Sequence, residues 1–321
     1  MNIVVTGSIA YDYLMSFPGR FADNLLPDQL HNISVSFLVD DMKRQRGGIA
    51  PNIAYTMALL GGRPRIMATA GQDFYEYKNS LDEMGVDTSA IKIFDDIFTA
   101  SFFVNTDLDQ NQIASFFTGA MAHAREVTFA THAADAELAI ISPNEPGAMR
   151  YYCEECKRLG IPYIYDPSQQ TARATAEDLL VGIQGAALLT VNEYELSLIR
   201  EKTGMAKKDI LESASGLLIT QADEGALLYV DGDCFDIPAV PPHHIIEPTG
   251  AGDAFRAGLM RGIELGLPWS VAGRMGSLSA TYCLEQLGTQ NHRFSPAEFV
   301  ERYRQHFDDE GQLDILLGGN K

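Results

Sequence analysis

The sequence predicts an α/β fold with a central, mostly parallel sheet, helices on both faces and a small β excursion. From Leu138 onward, short apolar strands alternate with helical patterns, which is the signature of a parallel sheet built by crossovers. A second sign is the chain's opening, where Ile3 to Val5 form a brief apolar run closed by Gly7-Ser8, as in a buried strand. The third is Glu247-Pro248-Thr249-Gly250-Ala251-Gly252-Asp253-Ala254-Phe255, a glycine turn running into a helical pattern that ends near Gly266.

The elements follow in order. Asp12 comes five residues after Gly7, and the G-x-G-x-x-G dinucleotide fingerprint is absent here. Residues 33–39 alternate early and predict a strand with one exposed face. Gly47-Gly48 precedes a helical pattern from Ile53 to Leu60, which Gly61-Gly62 ends. A strand (Ile66 to Ala70), a helix (Phe74 to Met84) and a strand near Ile91 come next. Residues 99–104 and 112–117 flank a polar turn and read as a hairpin carrying aromatics, either core or exposed. The regular half predicts strands at Leu138 to Ser142, Pro162 to Asp166, Ala187 to Val191 and Leu217 to Thr220. Helices are predicted at Pro146 to Leu159 and Glu193 to Glu201. Ala226 to Ile237 reads as a hairpin around Asp231-Gly232, and the remainder after Asp253 is mostly helical. With no internal repeat or low-complexity linker, residues 1–321 read as one domain.

Ligands of parallel sheets sit beyond the carboxyl ends of the strands, where Asp166, Asn192 and Thr220 all fall. The turn at 250–252 has the makings of an anion site. Its glycines let peptide N–H groups converge, and a helix opens there with its positive dipole end. Asp253 has two readings: a cap of that helix, or an acceptor for a hydroxyl proton beside a bound phosphate.

Composition excludes several classes. The chain is 46% hydrophobic and 21% charged, as globular proteins are, and its net charge of -19 repels nucleic acid and anionic membrane. The first residues lack the pattern of a signal peptide and no run approaches ~20 apolar residues, so a cytoplasmic location is expected. Four cysteines make no disulfide framework. The Cys153/Cys156 pair has C-x-x-C spacing within a helical pattern and reads as ordinary helix residues. His243-His244 reads as a solvated loop pair.

Gly7-x4-Asp12, Gly47-Gly48-x3-Asn52, Asn192-x2-Glu195, Thr220-x4-Gly225 and Thr249-Gly-Ala-Gly-Asp253, in this order, resemble the ribokinase/PfkB family of carbohydrate and nucleoside kinases nearly end to end. Val5 to Asp12, Ser36-Phe37-Leu38-Val39, Asn111 to Phe116 and Asp166-Pro-Ser-Gln-Gln170 are most similar to bacterial adenosine or nucleoside kinases. The resemblance implies a ribokinase-like fold with a β lid drawn from about 13–40 and 98–118. It implies an ATP- and Mg²⁺-dependent transfer to the 5′-hydroxyl of a ribonucleoside, adenosine to AMP first.

Asp253 would be the general base, with Gly250, Ala251 and Gly252 as the anion hole. Asp12, Gly48 and Asn52 would hold the ribose, with Ser8 and Ser36 beside it. Phe102 and Phe116 would stack on the base, and Arg173 would meet a phosphate. Asn192, Thr220, Gly225, Thr249 and Ser277 would line the ATP side, and Glu195 would place Mg²⁺ through water.

Two positions depart from the family pattern. Glu247 stands where Asp is usual, which counts against the K⁺ site of some members, and Ala222 stands where Gly is usual. A sugar kinase of ribose or fructose type is one alternative, and a non-catalytic nucleoside-binding protein is another. Neither nucleic acid nor membrane is an expected partner, while a homodimer through the lid edge is.

Overall fold

The computed structural model describes residues 1–25 and 34–318. Strand β1 (Ile3–Thr6) is buried on both faces: Ile3 and Val5 join one apolar cluster and Val4 the other. The chain then leaves the main sheet through β2 (Ala10–Ser16), passes the short helix α1 (Phe21–Asn24), and returns along β3 (Asp41–Gly47) into α2 (Ile49–Leu59). One flank is built by β4 (Arg65–Gly71), α3 (Tyr75–Glu83) and β5 (Ile91–Phe94), and the hairpin β6 (Ala100–Thr106) and β7 (Gln112–Phe117) follows.

After α4 (Phe129–His132) the other flank alternates as expected, through β8 (Leu138–Ile141), α5 (Pro146–Leu159), β9 (Tyr163–Tyr165), α6 (Ala176–Ile183) and β10 (Leu188–Asn192). Next come α7 (Glu193–Thr203), α8 (Lys207–Ser213) and β11 (Gly216–Thr220), then the hairpin β12 (Ala226–Val230) and β13 (Asp233–Ile237). Helices α9 (Ala251–Glu264), α10 (Trp269–Leu284) and α11 (Pro296–His306) close the chain.

The main sheet has the order β13-β12-β11-β10-β9-β8-β1-β4-β5. Every pair from β11 to β5 is parallel, and only the edge hairpin β12/β13 runs antiparallel. The order reverses between β1 and β8, so the ligand crevice of such a sheet opens beyond their carboxyl ends. There the amide of Ser8 donates to the carbonyl of Pro143 at 2.8 Å.

The excursion is a separate four-stranded sheet in the order β3-β2-β6-β7. It corrects the expected strand over 33–39: residues 34–39 form none, and Ile33 lies outside the described residues. The strand is β3 instead, whose sequence Asp-Met-Lys-Arg-Gln-Arg-Gly has no apolar alternation because both its faces are largely open. Pairing with β2 along its whole length, Ala10 opposite Gly47 to Ser16 opposite Asp41, makes it a strand. The sheet thus starts at Ala10 and continues past residue 40, and of the expected 13–40 segment residues 26–33 lie outside the described chain. Helices α6 and α8 also lie where no element was expected; Thr175 and Asp178 begin the first with a capping box.

Cys153 and Cys156 are buried in α5, where burial raises both thiols, in keeping with an ordinary packing role. No described helix is long and apolar enough to cross a membrane.

Helices α9 and α10 approach closely because small residues line their contact. A Cβ on Gly258 would stand 2.5 Å from the Met275 carbonyl oxygen and from the Ser279 hydroxyl. Gly258→Ala is therefore expected to lower unfolding free energy by about 1–3 kcal/mol, the usual effect of overpacking, read as a lower urea midpoint with an unchanged slope.

Candidate active site

The site gathers where the small sheet joins the main one. The chain crosses between them at Gly7-Ser8 and Gly47-Gly48, and these crossings touch. A Cβ on Gly48, whose φ is +92°, would lie 2.5 Å from the Ser8 carbonyl oxygen. The amide of Ala50 donates to that same oxygen at 3.3 Å, and the amide of Ile49 to the Ser8 hydroxyl at 3.4 Å. Glycine is required at 48 by both the backbone angle and the contact.

Across the small sheet, Asp12 stands opposite Gln45 on one side and Phe102 on the other, and Phe102 stands opposite Phe116. Paired residues share a face, so a carboxylate, an amide and two rings form one row. The opposite face carries Tyr11, Arg46 and Tyr13 paired with Phe103, whose rings stack at 4.7 Å. Gly47 leaves room for the Asp12 carboxylate, since a Cβ there would come within 2.4 Å of it. Burial pushes the Asp12 carboxyl up to about 6, and the Glu247 charge adds to the rise. Gln45 was not recognised in the sequence, because only the register of β3 brings it into the row.

On the main body, α9 begins at Gly250, which takes a φ of +82° and packs against Thr289. Helix geometry leaves the first-turn amides without intrahelical carbonyls, so Gly252 and Asp253 offer N–H groups at a positive dipole end, while the Ala251 amide donates to the Pro248 carbonyl at 3.3 Å. Asp253 lies in that turn but does not cap it: Gly250 occupies the cap position, and no side chain caps the helix. The carboxylate turns toward α2, where Asn52 Nδ2 donates to Asp253 Oδ2 at 2.8 Å, and Arg256 Nη2 donates to Oδ1 at 2.6 Å.

Asn52 is itself fixed, its Oδ1 accepting from Thr289 Oγ1 and Gln290 Nε2, each at 2.8 Å. Gln290 Nε2 also donates to the Tyr77 hydroxyl. Burial raises the Asp253 carboxyl, while the Arg256 charge and the Asn52 bond lower it in part. Asp166, fully buried just after β9, has its carboxyl pushed up to about 7 by burial, with Arg256 opposing the rise. Arg256 was missed in the sequence; its i,i+3 spacing from Asp253 was the available signal.

The remaining expected residues fall into three groups. Asn192 and Thr220 are the last residues of β10 and β11, and Gly225 lies just before β12. Asn192 and Glu195 form a capping box at the start of α7: Glu195 Oε2 accepts from the Asn192 amide at 2.9 Å, and Asn192 Oδ1 from the Glu195 amide at 2.8 Å. A Cβ on Gly225 would lie 2.1 Å from the Ile237 carbonyl oxygen, and Ala222 takes a φ of +51°, the conformation glycine would adopt more easily.

Thr249 is exposed just before the turn, while the Ser277 hydroxyl is occupied by loop backbone: it accepts from the Val240 amide at 3.0 Å and donates to the Pro238 carbonyl at 2.8 Å. Ser36 and Arg173 are both exposed, and no hydrogen bond among the described residues ties either side chain to Asp12 or Asp253. Glu247 Oε2 accepts from the Gly288 amide at 2.7 Å. Among the described residues no group of three His, Cys, Asp or Glu side chains gathers as a metal cage. Glu195 is the carboxylate on α7 whose charge reaches Asp166 and Arg256.

The chain is similar to known proteins. A nucleoside kinase of Methanothermobacter thermautotrophicus is 28% identical over 306 residues, 94% of this chain and 95% of that protein. The structure of Burkholderia thailandensis nucleoside kinase in complex with inosine superposes with a TM-score of 0.83 at 38% identity, covering 95% of this chain and 98% of that one. The same enzyme in complex with ADP-inosine gives 0.82 at 39%, covering 95% and 96%. The model of the pfkB family of carbohydrate kinases matches residues 7–296, so this chain, with its ribokinase-like fold, belongs to that family.

Proposed function

We propose that the protein is an ATP- and Mg²⁺-dependent nucleoside kinase that phosphorylates the 5′-hydroxyl of a purine ribonucleoside, with adenosine as its first acceptor. The observation that supports this reading is a pair of groups tied through Thr289, whose hydroxyl lies on both the Arg46 carbonyl of β3 and Asn52 Oδ1: the row Asp12–Phe102–Phe116 on the small sheet, and Asp253 on the helix whose N-terminus forms the anion turn. The carboxylate of Asp12 suits two vicinal hydroxyls, and the paired rings suit a flat base. One solved relative, holding inosine in one structure and ADP-inosine in another, supports a purine and an adenine nucleotide as ligands.

In this mechanism the 5′-oxygen attacks the γ-phosphorus of ATP as the bond to the leaving ADP oxygen breaks. The hydroxyl proton passes to Asp253, and the amides of the 250–252 turn carry the charge that develops on the phosphoryl oxygens. No lysine of P-loop type is present in the sequence, so the helix N-terminus does that work. Mg²⁺, when bound, would neutralise phosphate charge; Glu195 would orient its water, and Asn192, Thr220 and Gly225 would border the nucleotide.

The deciding experiment is ATP consumption across adenosine, inosine, guanosine, cytidine, ribose and fructose, with and without K⁺. A free sugar outrunning every nucleoside would remove the nucleoside reading. Asp253→Asn should fold and bind both substrates yet lose about 10²-fold or more in kcat, and near-normal turnover would sink the assignment of the base. Phe102→Ala should raise the Michaelis constant for a nucleoside and leave that for ATP unchanged.

Protonating Asp12 removes the acceptor of the ribose hydroxyls. Because its carboxyl lies at about 6, the nucleoside Michaelis constant should climb as pH falls through that value and level off above it. Steady-state kinetics between pH 5 and 8 check this.

A further inference from the structure

Behind the proposed base lies a buried charge cluster that the mechanism so far leaves unused. Arg256 reaches two carboxylates from one guanidinium: Nη2 donates to Asp253 Oδ1 at 2.6 Å, and Nε lies 2.9 Å from Asp166 Oδ2. The Arg256 side chain is 12% exposed and that of Asp166 not at all. The contact with Asp166 is a pairing of charges, because neither Asp166 oxygen makes a well-formed hydrogen bond among the described residues.

Such an arrangement is a poor device for stability, since withdrawing three charged groups from water costs more than one guanidinium returns to two carboxylates. It is a good device for orientation. A planar guanidinium held from behind by Asp166 and a carboxamide held by Thr289 and Gln290 grip the two oxygens of Asp253 from different sides.

We propose that Arg256 and Asp166 are positioning residues for Asp253: the guanidinium, anchored on Asp166, aims the Asp253 carboxylate at the acceptor and keeps it ionised until the hydroxyl proton arrives. This rests on the kinase reading given above. In chemical terms, a carboxylate removed from water is ready to accept a proton, and an unopposed one would take it from solvent before the substrate is bound. The cation prevents that early protonation. Asp166 limits the cation's pull, so that Asp253 is not tied too firmly to give way.

The other groups facing the cluster are few. Glu195 on α7 adds negative charge felt by Arg256 and Asp166, and the Ser142 hydroxyl lies beside Asp166. Asn52 on α2 is neutral, and the thiol of Cys283 on α10, kept protonated by burial, faces Asp253 and Glu247. Arg256 Nη1 also lies 3.3 Å from where a Cβ on Gly252 would stand, so a rival role as a phosphate ligand is open to direct test.

Two readouts test the proposal together. The first is the titration of the Asp253 carboxyl by ¹³C NMR, identified as the resonance missing in Asp253→Asn, which does not depend on turnover. The second is the pH profile of kcat/KM. Arg256→Met should move the Asp253 titration and the acid limb upward by about one unit or more. Asp166→Asn, with one competing negative charge gone, should move both downward. Arg256→Lys keeps a cation but not the two-point bridge, so the limb should stay near that of the unaltered protein while kcat falls about tenfold or more.

The ATP Michaelis constant should change little in all three, and circular dichroism confirms that each is folded. An Asp253 titration unmoved in both Arg256→Met and Asp166→Asn would overturn the proposal, and a raised ATP Michaelis constant alongside it would assign Arg256 to the phosphate instead. If the unaltered protein turned over no acceptor, the kinase reading would fall while the NMR shifts still decided whether the cluster controls Asp253.

Discussion

The hydrogen bond from Asn52 to Asp253 joins two helices that begin at separate glycine turns, and the site depends on it. Helix α2 starts where the small sheet returns to the main body, and α9 starts at the anion turn, so one 2.8 Å contact sets the distance between the two functions. Its partners extend outward on both sides. Thr289 and Gln290 hold the amide, and Arg256 holds the carboxylate's other oxygen. Buried polar networks of this sort specify geometry because every member loses a partner when one is displaced.

The second constraint is register. Strands β3 and β7 are largely open to solvent while β2 and β6 are mostly covered, and a one-residue slip of β2, β6 or β7 would turn Asp12, Phe102 or Phe116 out of the row. The far face is anchored: Tyr11 is buried, with its hydroxyl bonded to the Asp73 carbonyl, and Arg44 lies over its ring at 4.6 Å. Packing on the side away from the site thus fixes what the site presents.

Much of this was legible in the sequence. The parallel half followed from alternating apolar runs, and α5 was placed to the residue because Pro146 opens it and Gly160, at a φ of +71°, closes it. The ordered glycine and acid motifs named the family. What escaped was set by pairing: β3 has no apolar pattern, so neither the strand nor Gln45 could be found from composition or period. Arg256 escaped for a different reason, since a lone basic residue in a helix carries no mark of burial, and only folding brings it to Asp166, ninety residues earlier in the chain. Ser277 shows the reverse, a residue chosen for the nucleotide whose hydroxyl is spent on the backbone of the loop at 238–240.

The touching crossings at Ser8 and Gly48 have one further consequence. Asp12 belongs to the small sheet and Asp253 to the main body, so under the proposed function the grip on the acceptor and the base that activates it sit on different layers. Water has no vicinal pair of hydroxyls for Asp12 and no ring for Phe102 and Phe116. Under that reading water would lack the contacts that hold an acceptor beside Asp253, and ATP would be guarded against futile hydrolysis without any group that repels water.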